Sequence, residues 1–223
     1  MTNLIDTNLK FIVNTLGKSL RNVGAGPNAE YANDETIARI KIQGEGIIET
    51  EIKKGNSVDD TWINGLINRN LVGSLGEQYV YNLLDKANLE PAYVNDYFAD
   101  LSVINPDTQD EIFIEIKMYP GKWKYLNSIC DMAGEGLENS GCPNLTTLYK
   151  NRDKTHLFII GRHDGLQHKD GETCLSNITL KGMLRVDRMF SPEILRKSKF
   201  ADAQATHWID FSKAVNLGAG FVF

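Results

Sequence analysis

From Asn8 to Leu20 the apolar residues Leu9, Ile12, Val13, Leu16 and Leu20 recur at three- and four-residue spacing, which predicts one amphipathic helix. Gly24, Gly26 and Pro27 then break it. Between Arg39 and Gln43, and again between Ile47 and Ile52, apolar and polar side chains alternate. That period predicts a pair of strands turned by Gly44 and Gly46. From Trp62 the pattern is helical again, and Leu75, Tyr79, Val80, Leu83 and Leu84 fall on one side of an amphipathic segment. The period then changes. Phe98 to Ile104 reads as a strand, Asn105 to Gln109 as a turn, and Glu111 to Lys117 as the returning strand of a hairpin. His156 to Ile160 is a short apolar run ended by Gly161, as in a buried strand, and Leu180 to Val186 reads as another. Gly134 to Pro143 reads as a surface loop. This order predicts an α/β fold, a mixed central sheet with helices on both sides.

A chain of 223 residues supports one well-buried core and is short for two. The expectation is a single domain over residues 1–223, with an N-terminal arm over 1–72, a core over about 73–161 and a C-terminal extension over 162–223. An apolar fraction of 42% and a charged fraction of 24% exclude collagen-like, coiled-coil and wholly disordered chains. The formal charge of −5 is unlike that of a non-specific nucleic-acid coat protein. A groove can still be locally basic inside an acidic protein, and a metal site adds carboxylates to the sum. The three cysteines, Cys130, Cys142 and Cys174, have neither CxxC nor Cys/His ligand spacing, so no disulfide framework or structural zinc is expected. The N-terminus lacks a signal-peptide pattern, and no apolar run reaches the roughly 18 residues of a membrane span. A cytoplasmic protein without a membrane role is the expectation.

The chemistry gathers at the hairpin. Ile112 and Ile114 point to one face of the returning strand, and Glu111, Phe113, Glu115 and Lys117 to the other, because successive side chains alternate. The turn near Pro106 folds the preceding strand back so that Asp100 reaches Glu115. Two carboxylates and an ammonium then converge. A charged residue in the middle of so apolar a strand costs free energy unless it is paired or binds metal. Carboxylates hold a hard divalent cation through oxygen, and a lysine beside a bound water can orient it and stabilise developing negative charge. Asp96 is a rival to Asp100 at even spacing, nearer the start of the strand.

Asp100 with Glu115-Ile116-Lys117 resembles the PD-(D/E)xK nuclease superfamily, which includes type II restriction endonucleases and repair and recombination nucleases. Gly76-Glu77 on the preceding helix is similar to the family's upstream glutamate. Ala99 stands where the motif has proline. The resemblance covers roughly residues 73–161 and implies a restriction-endonuclease-like core. It implies Asp100 and Glu115 as metal ligands, the Ile116 carbonyl as a further ligand, Glu77 as an accessory ligand or orienter, and Lys117 as the catalytic lysine. The implied cofactor is Mg²⁺, with Mn²⁺ as a substitute. The implied partner is double-stranded DNA, cut at a short palindromic site by a homodimer. A structure-selective repair, recombination or phage nuclease, or a non-cutting relative, is the alternative.

Lys122, Lys124 and Tyr125 interleave basic and aromatic residues after Lys117 and are candidates for DNA contact. An ordinary helix start with a snorkelling lysine face reads equally well. Arg185 and Arg188, with Arg196, Lys197 and Lys199, are candidates for a backbone clamp. The stripe of the N-terminal helix has two open fates, dimerisation or packing on its own core. Glu111 is open between a second metal site and a solvated strand end. His156, His163 and His168 make no zinc motif.

Overall fold

The hairpin predicted by the period-two pattern lies inside a broad mixed sheet, one strand in from its edge. The computed structural model describes residues 4–22, 28–120, 128–129, 148–169, 171–197 and 207–223. The chain opens with α1 (Leu4–Thr7), a wide π-type helical stretch (Phe11–Gly17), α2 (Lys18–Asn22) and β1 (Asn28–Tyr31). Two long helices follow, α3 (Asp34–Lys53) and α4 (Asp60–Lys86), then β2 (Ala92–Asp96), β3 (Ala99–Ile104), β4 (Glu111–Pro120) and the short β5 (Ser128–Ile129). The second half holds β6 (Leu157–His163), β7 (Gly165–Lys169), β8 (Glu172–Arg185), α5 (Val186–Met189), β9 (Leu195–Lys197), β10 (His207–Ile209), α6 (Phe211–Asn216) and β11 (Gly220–Val222).

The main sheet runs β1-β8-β6-β4-β3-β2, with β7 and β11 also paired to β8. β4 and β6 are parallel, and β3 pairs with β4 antiparallel, so the sheet is mixed. β5, β10 and β9 form a small separate sheet. On one face Ile112, Ile114, Ile116, Leu157 and Ile159 pack under α4, through Leu75, Tyr79, Val80, Leu83 and Leu84, and under the N-terminal helical stretch. On the other face Phe158, Ile160 and Leu184 pack against Val186 and Met189 of α5 and Phe211 and Ala214 of α6. Helices therefore lie on both sides. Among the described residues no helix is long and apolar enough to cross a membrane.

The predicted strand pair over Arg39 to Ile52 is instead helix α3. Its start is set by Asn33, whose side chain accepts the Thr36 N–H at 2.8 Å, and by Asp34 and Glu35 in the first turn. The cap and the helix dipole favour that start. The Thr36 hydroxyl donates to Gln78 of α4 at 2.6 Å, and the Gln78 amide donates to the Tyr31 carbonyl at 2.6 Å, tying the start of α3 to α4 and β1. The alternation misled because the isoleucines do not mark one buried face: Ile42 is 71% exposed and Ile52 59%. Gly44 and Gly46 lie inside the helix at a cost of about 1 kcal/mol each relative to alanine, rather than in a turn.

The N-terminal stripe is helical in three pieces rather than one. Ile12, Leu16 and Leu20, together with Phe11, are buried in the main core, so the stripe covers its own sheet and is not a free dimer surface. The predicted loop over Gly134 to Pro143 lies outside the described residues.

Candidate active site

In the β3/β4 register Leu101 stands opposite Ile114, which puts Asp100 across from Glu115 on one face. β3 begins at Ala99, and the last cross-strand pair on that side of β4 is Leu101 with Ile114. Asp100 fills the first gap with its side chain: Oδ2 accepts the Ile116 N–H at 2.7 Å. The N–H and C=O of one strand residue point to the same side, so the Ile116 carbonyl faces this open edge too. Lys117 Nζ lies 2.6 Å from Glu115 Oε1. On the parallel neighbour, Phe158 stands beside Glu115 and Ile160 beside Lys117, and both apolar side chains are buried.

Glu77 arrives from α4. The helix meets β4 at Gly76, where a Cβ would overlap Met118 Cγ; a Cβ on Gly161 of β6 would overlap the Met118 sulfur. Two glycines thus make the slot for Met118 and let α4 sit close enough to bring Glu77 into the electrostatic reach of Asp100, Glu115 and Lys117. Glu77 Oε2 pairs with Arg39 Nη1 of α3 at 3.0 Å. The Arg39 guanidinium lies 4.1 Å above the Tyr93 ring, which stacks on Tyr81 at 4.8 Å. Arg39 Nε and Nη2 are buried and have no acceptor among the described residues.

Burial pushes the Glu77 carboxyl up to about 7, aided by the charge of Asp100 and opposed by Arg39 and Lys117. Glu115 is likewise pushed up to about 7, first by burial, with Lys117 opposing and Asp100 adding to the rise. Burial alone would lower Lys117, but the charges of Asp100 and Glu115 outweigh it and hold its ammonium above the ordinary lysine range. Three carboxylates thus share a poorly solvated site in which each already has one protein donor: Arg39 for Glu77, the Ile116 N–H for Asp100, Lys117 for Glu115. Among the described residues no group of three or more His, Cys, Asp or Glu side chains is already arranged to hold a metal ion. The donor set nevertheless fits a hard cation in its chemistry, with three carboxylates and a carbonyl at one strand edge and two carboxyls whose negative form is disfavoured for want of positive charge.

The structure brings together Asp100, Glu115, Lys117 and Glu77, with Ile116 between the strand residues. It leaves Asp96 out: that side chain is exposed on β2 and caps the Tyr97 N–H at 2.7 Å. Glu111 is exposed at the start of β4, opposite Ile104. The three histidines are not gathered: His156 accepts the Phe113 N–H, His163 is buried and His168 is bonded to Thr173. Lys122, Lys124, Tyr125 and Lys199 lie outside the described residues. Arg185 is turned inward. It is 4% exposed, and its Nη2 lies 2.8 Å from both Asp6 and Asp187, an internal tie between the N-terminus and β8. Arg188 is half exposed, with Asp6 at 3.9 Å. Arg39 and Tyr93 were missed by sequence reasoning. The helix start at Asn33-Asp34-Glu35 was the signal that would have put Arg39 one turn along a helix rather than in a strand.

No protein-family model matches the chain, and no curated protein or solved structure matches it.

Proposed function

We propose that this chain is a metal-dependent endonuclease that hydrolyses DNA phosphodiesters at Asp100, Glu115 and Lys117. The observation that carries the reading is the convergence of these three residues, with Glu77, at the open edge of β4. The same residues carry the resemblance to the PD-(D/E)xK nucleases and to a restriction-endonuclease-like core. Asp100, Glu115, the Ile116 carbonyl and Glu77 would hold Mg²⁺ or Mn²⁺. When bound, the cation lowers the pKa of a water and offsets charge on the phosphate. Arg39 fixes Glu77 from behind and keeps part of its charge in place. Lys117 stays protonated while the carboxylates surround it, so its part is to orient the attacking water and to donate toward the charge that develops on the phosphate.

Two finer readings follow. One is a homodimeric type II restriction endonuclease on a short palindromic site, in which two-fold symmetry of protein and DNA would match. Burial of Ile12, Leu16 and Leu20 removes the dimer surface that the sequence offered for it. The other is a structure-selective nuclease, which the row of aromatic rings Tyr97, Phe98 and Phe113 beside Asp100 favours. Digestion of a long DNA of known sequence tests the reading. Cutting is expected with Mg²⁺ or Mn²⁺ and none with Ca²⁺, which coordinates more loosely and activates water poorly. Discrete bands indicate sequence reading, and structure-dependent products the second reading. Full activity in excess chelator would refute metal dependence.

A further inference from the structure

The turn between β2 and β3 carries two aromatic residues, Tyr97 and Phe98, one residue short of Asp100. Tyr97 is 70% exposed. Phe98 is half-buried, its ring edge-on to Tyr97 at 6.3 Å and to Phe113 at 5.0 Å. Phe113 in turn stacks on His156 at 5.7 Å. The Lys154 ammonium stands 5.9 Å from the Tyr97 ring centre and 5.7 Å from that of Phe98. The backbone beneath this row is pinned: the Thr155 hydroxyl donates to the Phe98 carbonyl at 2.6 Å, Asp96 holds the Tyr97 N–H, and His156 Nδ1 accepts the Phe113 N–H at 2.9 Å. A continuous row of rings leads from a buried histidine to an exposed tyrosine. It runs next to the carboxylates, since Phe98 is two residues from Asp100, and Phe113 shares the face of β4 with Glu115.

Phosphodiester hydrolysis at Asp100 and Glu115 uses none of these rings. An exposed aromatic ring on a braced turn, with a cation beside it, suits an unpaired nucleotide, whose base stacks on the ring and whose phosphate meets the ammonium. A base inside a duplex already has both faces covered by its neighbours and gains nothing there. We propose that Tyr97, Phe98 and Lys154 form a stacking site for an unpaired nucleobase beside the carboxylate cluster, so that the DNA this protein acts on presents single-stranded nucleotides at the point of cleavage. Cleavage there rests on the nuclease function proposed for the chain; binding of the base rests on these residues alone.

The test separates the two. The full chain is titrated, in chelator, into a single-stranded oligonucleotide carrying 2-aminopurine, whose fluorescence is quenched on stacking, and into a blunt duplex of the same length. The site predicts quenching and tighter binding of the single strand. Tyr97→Ala weakens that binding roughly tenfold, the loss of one stacked base, and Tyr97→Trp restores it. Lys154→Ala weakens it and flattens its salt dependence. Unchanged affinity in Tyr97→Ala, or a duplex bound as tightly as the single strand, would overturn the proposal. If the wild type binds and quenches as described but cuts no DNA with Mg²⁺, the stacking site stands and the nuclease reading falls. If Tyr97→Ala cuts nicked, flapped and blunt substrates with wild-type rates, the nuclease reading stands and the stacking site falls.

Discussion

Asp100 Oδ2 accepts the backbone N–H of Ile116 at 2.7 Å, so a side chain takes the place of the strand that β4 lacks beyond that point. One edge of β4 is left open where Glu115, Lys117 and Glu77 meet, and the consequences can be measured.

The first is a pH-dependent stability that Mg²⁺ alters. Glu77 and Glu115 titrate near pH 7 in the folded chain, against an ordinary value of 4.5. The folded state then binds more protons than the unfolded state between those values, so this site's contribution to stability falls as pH rises from about 4.5 to about 7. A cation competes with those protons, and its stabilising effect should grow over the same window. Thermal melts from pH 5 to pH 8, with Mg²⁺ and with chelator, should show a widening gap that shrinks in Glu115→Gln. Equal Mg²⁺ effects at both ends of the range would contradict the assignment.

Helix α3 gives a second test. Gly44 has nothing within 4 Å of where a Cβ would stand and its φ is not positive, so Gly44→Ala should raise unfolding stability by about 0.5–1 kcal/mol. Denaturant titration reads this directly. A loss of stability would mean that the segment turns at Gly44, as its alternating pattern suggests.

The N-terminal stripe gives a third. Leu16 is fully buried in the main core, and Leu16→Ala should cost about 2–5 kcal/mol without changing the sedimentation coefficient of the folded protein. A variant of unchanged stability but altered oligomeric state would return the stripe to a role between subunits.

The placement of the strand residues of the candidate site was legible because it depends on short-range rules. Alternation along β4 and a tight turn are enough to set Asp100 beside Glu115 and Lys117. Arg39 was not legible, because the isoleucines around it alternate as in a strand while the deciding cap, Asn33, lies six residues earlier. The closeness of Glu77 depends on Met118 fitting between Gly76 and Gly161, three positions far apart in the chain whose meeting no local pattern announces. The burial of Arg185 was hidden for the same reason: its charge looked available, but its partner Asp6 is 179 positions away.

The most direct measurement is single-turnover cleavage and DNA affinity for wild type, Glu115→Ala and Lys117→Ala, with circular dichroism on each to show that it is folded. Both side chains lie at the open edge of β4 rather than in either apolar core, so the fold and much of the DNA affinity should remain. Cleavage with Mg²⁺ should be lost in both variants. A folded Glu115→Ala or Lys117→Ala protein that cuts DNA at a rate near that of the wild type would contradict the assignment of this site.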